Sequence, residues 1–418
     1  NGWPLALPSD PVAPAPATSQ AMLLEGTGIA VDSFWHSEPG VRFFCTHAHE
    51  DHLKGLGATW RRGAIHCSPV TARLLALRWP GLSQYLRPLE LNLAHHLQVD
   101  GAVGVAGLGG SGGADLLEVM LLDANHVPGA VMFVFAGCFG KVLHTGDFRL
   151  HPEHAHLGAL PMLRDGLSCI FLDNTYCHPS FDFPTREYAG EVAVAAATEK
   201  WPCLLFVSVY QLGKEPLLET LAERLGVKVL VPPTRLESLR AGGAREELFA
   251  AERWSPLQAP PEELRRLALL GCIWAVPPRR LRQALYRASS LGAPACGLEP
   301  TGWTAGGKDL GDTCGGVQAV PYSDHCSFLE LVQFLSFLPL APVTFLTPLP
   351  APSASSAASS SSSTLPPPAG ARFVYDGEEG VRALLEHAGV PSISFQEASR
   401  PSGRRLLCRA GAGAGAPA

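Results

Sequence analysis

The stretch FFCTHAHEDHLKG, residues 43–55, crowds His47, His49, Glu50, Asp51 and His52 directly behind an apolar run. A single histidine at such a place reads as part of a solvated polar turn. The spacing here changes that reading. His-x-His puts two imidazoles on one side of an extended segment, and the adjacent Asp51-His52 pair turns the next two side chains toward a second point. Imidazole and carboxylate together suit zinc, and such a site stays reactive when a coordination position is left open. The H-x-H-x-D-H string therefore points to a two-metal hydrolytic site rather than a polar loop.

One string holds too few ligands for two metals, so further ones are expected at the ends of other strands. VMLLDANHVPGAVMFVF reads as a strand, a turn carrying His126 and Pro128-Gly129, then a second strand. In GKVLHTGDFRL the strand KVLHT is followed by Asp147 just after Gly146. VQAVPYSDHCSFLELVQFL places Asp324 and His325 between a short strand and a helix, whose start is marked by Ser327 with Glu330 three residues on, a capping box. Upstream, GIAVDSFW ends a strand at Asp32. Singly, Asp32, His126 and Asp147 each also fit a turn residue; together they form one ordered pattern.

That ordered set resembles the metallo-β-lactamase hydrolases, whose α/β fold is an αββα sandwich with its metals along one edge of strand ends. LDNTYCHPSFDFP and VPYSDHCSF are similar to two further motifs of the β-CASP nucleases. IAVDSFW, CSPVTARLL, TGDFR, YQLGKE and PTGWT narrow the likeness to the DNA cross-link repair branch, over about residues 22–347.

The resemblance implies that His47, His49 and His126 hold one metal and that Asp51, His52 and His325 hold the second, with Asp147 bridging them. Asp32 and Asp173 would orient ligand histidines through their other ring nitrogen. Asp51, Asp147, Asp173 and His325 form the implied catalytic set. The cofactor implied is zinc, as one or two divalent ions, with magnesium or manganese as options at the second site. Two cations about 3.5–4 Å apart lower the pKa of a water between them, polarise a phosphoryl oxygen and neutralise a leaving alkoxide.

Lys214 in YQLGKE, Thr301 and Gly302 in PTGWT, and Ser323 beside His325 would converge on a terminal phosphate. Taken alone, Lys214 fits a solvated lysine at a helix start. The activity implied is a 5′-to-3′ exonuclease on 5′-phosphorylated DNA ends, in the nucleus, serving cross-link repair or telomere end processing. A structure-specific DNA endonuclease, an RNA-processing β-CASP nuclease, a small-molecule hydrolase of the same superfamily and a non-catalytic scaffold are the alternatives. RNA-cutting relatives carry one more histidine near APVTFLTP, and this sequence has none from Phe328 to Glu386, which favours DNA. The telomere-protein docking string of the branch, aromatic-x-Leu-x-Pro, does not occur after residue 349; its one match, FRLHP at 148–152, overlaps the TGDFR motif. Val127 stands where the branch usually has cysteine.

Length and composition frame this. The 418 residues are 46% hydrophobic, enough for a large core and two domains. A net charge of −6 argues against a general nucleic-acid coat, because non-specific DNA affinity comes mainly from neutralised phosphates. DNA contact must be local. Eleven cysteines without a C-x-x-C pair give no disulfide framework or zinc ribbon and suggest a reducing compartment. No apolar run is long enough to span a membrane, and the N-terminus lacks the basic start of a signal peptide.

The organisation expected is a disordered extension over 1–21 ahead of Met22, a first part of the sandwich over 22–176, a β-CASP insert over 177–318 and a second part over 319–349. A Ser/Pro-rich linker follows over 350–370; then a closing strand and helix and a disordered tail fill 371–418. The glycine-rich run 99–117 reads as a surface loop. Its GLGGSG does not open a helix after a strand, so it is not a phosphate-binding loop. Arg266, Arg279, Arg280, Arg282 and Arg287 read as a solvated helix face, with DNA-backbone contact the lesser reading.

Overall fold

The computed structural model describes residues 22–24, 27–98, 116–304, 316–339, 341 and 343–346. The extension 1–21, most of the glycine-rich run, the linker 350–370 and the segment 371–418 lie outside them.

Five short strands make the first sheet: Met22–Leu24 (β1), Ile29–Val31 (β2), Arg42–Phe44 (β3), Ile65–Cys67 (β4) and Leu86–Pro88 (β5), in sequential order. All neighbours run parallel except β1 with β2. Between β4 and β5 runs a helix, Pro69–Arg78 (α1), started by Pro69 and by the Ser68 side chain, which accepts the Thr71 N–H. A second sheet begins with Ala94–Gln98 (β6), Leu116–Asp123 (β7), Val131–Gly137 (β8) and Gly140–His144 (β9), an antiparallel meander. The chain continues through Pro161–Arg164 (α2) to Cys169–Leu172 (β10), which lies parallel to β9.

Alternation along these strands builds the layers, because successive side chains point to opposite faces. Val119 and Leu121 of β7 pack with Phe44, Phe133 and Phe135 between the two sheets. Their neighbours Met120 and Leu122 face the other way. The outer face of the first sheet is covered by Ala72 and Leu75 of α1.

The third sheet is Leu204–Ser208 (β11), Val229–Val231 (β12), Phe249–Ala251 (β13), Cys272–Val276 (β14), Ala295–Pro300 (β15) and Val317–Val320 (β16), in the order β13-β12-β14-β11-β15-β16. Every pairing is parallel. Such sheets need helices on both faces, and β11 and β14 are accordingly buried at every residue. Helices Arg186–Glu199 (α3), Glu215–Leu225 (α4) and Pro233–Gly242 (α5) cover one face. Pro261–Leu270 (α6) and Leu281–Ser290 (α7) cover the other.

After Val320 the chain returns to the sandwich. Phe328–Ser336 (α8) starts with the expected capping box, Ser327 accepting the Glu330 N–H while Glu330 accepts the Ser327 N–H. Its Phe328, Leu331 and Phe334 pack over Leu122, Leu143 and Leu172, the outer face of the second sheet. A last strand, Val343–Phe345 (β17), pairs parallel to β10. The layers are helix, sheet, sheet, helix, as expected. The cut placed at 318 falls inside β16, so the third sheet extends to Val320. Arg266, Arg279, Arg280 and Arg282 are exposed; Arg287 is half-buried and donates to the Ala259 carbonyl.

One turn couples the sandwich to the residues of interest. Gly129, at φ +82°, closes the turn that carries His126, and its carbonyl accepts from Ser68 Oγ at 2.6 Å and Thr71 Oγ1 at 2.9 Å. A Cβ there would stand 2.8 Å from the Thr71 backbone nitrogen. Gly129→Ala combines left-handed strain with a backbone clash and is expected to lower stability by at least about 2 kcal/mol. Gly166, at φ +105° with open space around it, carries only the strain, so Gly166→Ala should cost about 1 kcal/mol. Urea unfolding midpoints of the two variants make the comparison.

Candidate metal centre

Loops leaving the carboxyl ends of β2, β3, β7, β9, β10 and β16 meet at one edge, and each brings a polar residue. The chain turns sharply at Asp32, φ +51°, immediately after β2. Its carboxylate accepts from Thr46 N at 2.8 Å, Thr46 Oγ1 at 2.6 Å and His52 Nδ1 at 2.8 Å. Thr46 Oγ1 lies 3.0 Å from His47 Nδ1. Since the threonine hydroxyl already donates to Asp32, the ring nitrogen donates to it.

The same logic fixes the other imidazoles. Nε2 of His49 donates to the Leu212 carbonyl at 3.3 Å, and Nδ1 of His126 donates to the Asp324 carbonyl at 2.8 Å. His325 donates its Nδ1–H to Asp173 Oδ2 at 2.8 Å. Asp173 is held in turn by the Thr175 N–H at 2.9 Å and the Thr175 hydroxyl at 2.6 Å. Each of the five rings thus donates an N–H outward and turns its other nitrogen inward.

Those inward nitrogens surround Asp147. Its Oδ2 lies 3.8 Å from His47 Nε2, 3.3 Å from His52 Nε2, 3.7 Å from His126 Nε2 and 3.8 Å from His325 Nε2. His49 Nδ1 stands 3.0 Å from His47 Nε2 and 3.2 Å from His126 Nε2. Two ligand groups share Asp147: His47, His49 and His126 on one side, Asp173 and His325 on the other. Asp51 sits at the rim with an exposed carboxylate, 3.9 Å from His52 Nε2.

These residues fit divalent cations. His52 Nε2 and Asp147 Oδ1 are buried polar atoms with no hydrogen-bond partner, an expensive condition unless a cation is meant to meet them. Bare imidazole nitrogens 3.0–3.2 Å apart repel one another unless they share a positive charge. The field agrees. Burial pushes the imidazoles of His47, His49 and His126 below their usual range, so they stay neutral and able to ligate. Against burial, Asp147 and Asp32 hold His52 well above its usual range, while Asp173 and Asp147 raise His325 to about 9. Asp147 itself is held well below the carboxylate range, burial being outweighed by His52 and His325. Negative charge is therefore concentrated where the second group of nitrogens converges.

Of the residues expected to meet a phosphate, Ser323 adjoins His325 and Gly302 packs against Ser323, whereas Lys214 is engaged elsewhere. Gly302 packs against Tyr176 and Ser323, a Cβ there falling 2.8 Å from the Tyr176 hydroxyl. Ser323 Oγ donates to the His325 carbonyl at 3.0 Å. Lys214, left-handed at φ +64°, is mostly buried and donates to Asp324 Oδ2 at 3.1 Å. Its charge is already paired, and through Asp324 it supports His126.

Several contributors carry no sequence signature. Arg149 is buried and ties three segments, donating to Glu330, to the Ser323 carbonyl at 2.8 Å and to the Pro184 carbonyl at 3.0 Å. Arg186 donates to Asn125 Oδ1 at 3.0 Å and to the Asn125 carbonyl. Both brace the turns of His126 and His325 from a distance in sequence, so no local spacing marks them. Thr46 was closer to legible, lying between Cys45 and His47 at the strand end.

With its folded pKa raised to about 9, His325 contributes stability that is complete below the unfolded value near 6.5 and is lost as pH rises toward 9. His144, buried and held at about 4, works oppositely, its contribution fading as pH falls from about 6.5 to 4. Metal-free protein should therefore be most stable near neutrality. A divalent ion that replaces the His325 proton should remove the alkaline loss. Unfolding midpoints in chelator and in zinc across pH 6–9 test this, and identical profiles would contradict the assignment.

The sequence comparisons agree with this geometry. Residues 278–345 match the model of the family described as DNA repair metallo-beta-lactamase. The chain is similar to proteins named 5′ exonuclease Apollo, 36% identical in Gallus gallus over 76% of this chain and 61% of that one, and 34% in Danio rerio over 76% and 50%. It is 30% identical to the DNA cross-link repair 1A protein of Homo sapiens, over 75% of this chain and 29% of that one. The chain thus spans about half to three-fifths of the length of the Apollo relatives it matches. In its layered fold, its ordered site and its sequence the chain is similar to the DNA cross-link repair branch of the metallo-β-lactamase/β-CASP family, over about three-quarters of its own length.

Proposed function

We propose that the chain is a metal-dependent DNA nuclease, a 5′-to-3′ exonuclease acting on 5′-phosphorylated ends. The observation that carries this is the ring of inward-facing imidazole nitrogens around buried Asp147. His47, His49 and His126 would hold one ion and Asp51, His52 and His325 a second, with Asp147 between them. Zinc suits the three-imidazole group, and magnesium or manganese the oxygen-richer one. Bound there, divalent ions supply charge to polarise a phosphoryl oxygen and to make water nucleophilic at neutral pH.

The protein's own part is placement. Asp32 and Asp173 hold His52 and His325 in the tautomer that leaves Nε2 bare. Thr301, Gly302 and Ser323, with Lys214 behind them, form the pocket for the terminal phosphate. Holding the strand end there presents the next phosphodiester to the centre and converts encounter into positioned attack. Relatives named as DNA cross-link repair proteins support cross-link repair as the setting, and telomere end processing and a nuclear site of action are part of the same proposal.

Asp147→Ala should abolish cleavage, as should exhaustive chelation of the unaltered protein, and DNA should be cut much faster than RNA of equal sequence. Activity that survives either treatment would remove the assignment; equal RNA cleavage would move the chain to the RNA-processing branch.

The end-pocket is tested separately. A lost charge-assisted hydrogen bond costs about 1.5–3 kcal/mol, so 5′-hydroxyl strands should be digested about ten- to a hundredfold more slowly than 5′-phosphorylated ones. Lys214→Ala and Thr301→Ala should shrink that ratio. Internal cuts dominating from the first time points would favour an endonuclease.

A further inference from the structure

An aromatic cluster stands beside the candidate centre without belonging to it. Tyr176, Phe181 and Phe183 are buried together, the Tyr176 ring lying 5.5 Å from Phe181 and 5.1 Å from Phe183. Trp303 packs on this cluster, 4.7 Å from Tyr176 and 5.5 Å from Phe181. Even so, 42% of it is open to solvent. A residue that merely closed the cluster would have no need of so large a ring left half in water.

Its position is tightly set. The Trp303 N–H donates to Thr301 Oγ1 at 3.2 Å, and the preceding Gly302 is pressed against Tyr176 and Ser323. Tyr176, against which Trp303 leans, has its ring 6.1 Å from that of His325. The exposed indole is thereby fixed on the His325 side of the edge, on the same turn as Thr301 and Gly302.

We propose that Trp303, backed by Tyr176, is a stacking platform for the nucleobase at the end of the bound strand. The identity of the ligand rests on the nuclease reading; the surface itself does not. Stacking answers a need that the charge creates. A chain of net charge −6 gains little from general attraction to phosphates, whereas every base offers a π-face, so one indole provides sequence-tolerant affinity next to the centre. Indole is the most suitable side chain for this, having the largest flat apolar area.

The test uses two 5′-phosphorylated oligonucleotides that differ only in whether the terminal nucleotide carries a base or is abasic. Binding is read by fluorescence anisotropy in chelator, which keeps the strands intact, and cleavage is read separately with metal. The unaltered protein should bind the base-bearing end about tenfold more tightly. Trp303→Ala should bind the two alike, and Trp303→Phe should recover most of the preference. Because each variant is judged by its own ratio, a general loss of stability does not imitate the result. Equal binding by the unaltered protein, or a full preference kept by Trp303→Ala, overturns the platform. A protein that shows the preference but cuts neither strand leaves the platform standing and removes the nuclease reading instead.

Discussion

Asp147 is the point on which the structure turns. A carboxylate buried beneath four imidazole nitrogens at 3.3–3.8 Å is stable only if positive charge joins them, whether as protons on His52 and His325 or as divalent ions. Burial keeps His47, His49 and His126 neutral, so that side favours a ligand-bound cation over protons. The edge of the sandwich is thus held in a state that metal completes.

The parallel third sheet takes part in that centre beyond the loop after β16 that carries His325. Its loop after β11 places the Leu212 carbonyl on His49 and Lys214 on Asp324, whose own carbonyl receives His126. Below, Glu215 accepts the Gly213 N–H at 2.9 Å while Arg235 donates to the Gly213 carbonyl at 3.2 Å, gripping the loop from both sides. One of the three imidazoles of that ligand group, His49, is therefore oriented by the insert directly, and a second, His126, through Asp324. Displacing it would loosen the group, which makes the insert a structural requirement of the centre.

Much of the site was legible because the candidate metal ligands sit at strand ends, where a polar residue after an apolar run stands out. His47, His49, His52, His126, Asp147 and His325 all followed such runs, and the structure brings them together. Asp51 had the same spacing signal but lies at the rim, because the short helical turn Glu50–His52 directs its carboxylate toward solvent while burying His52. Lys214 stood out as a cation in a loop, and only the packing revealed that Asp324 already engages it.

The sequence by itself determined the alternation that builds two faced sheets, the helix starts at Ser68 and Ser327, and the ordered set of side chains able to bind metal, since these depend on spacings of two to four residues. Tertiary structure alone decided which nitrogen of each imidazole turns inward, because the choice is made by Asp32, Thr46, Leu212, Asp173 and Asp324, most of them distant in the chain. It also decided that Arg149 and Arg235 would be buried, and Arg186 half-buried, as braces rather than left in water. A charge is buried only when remote partners satisfy it, and that condition exists only once the layers have closed.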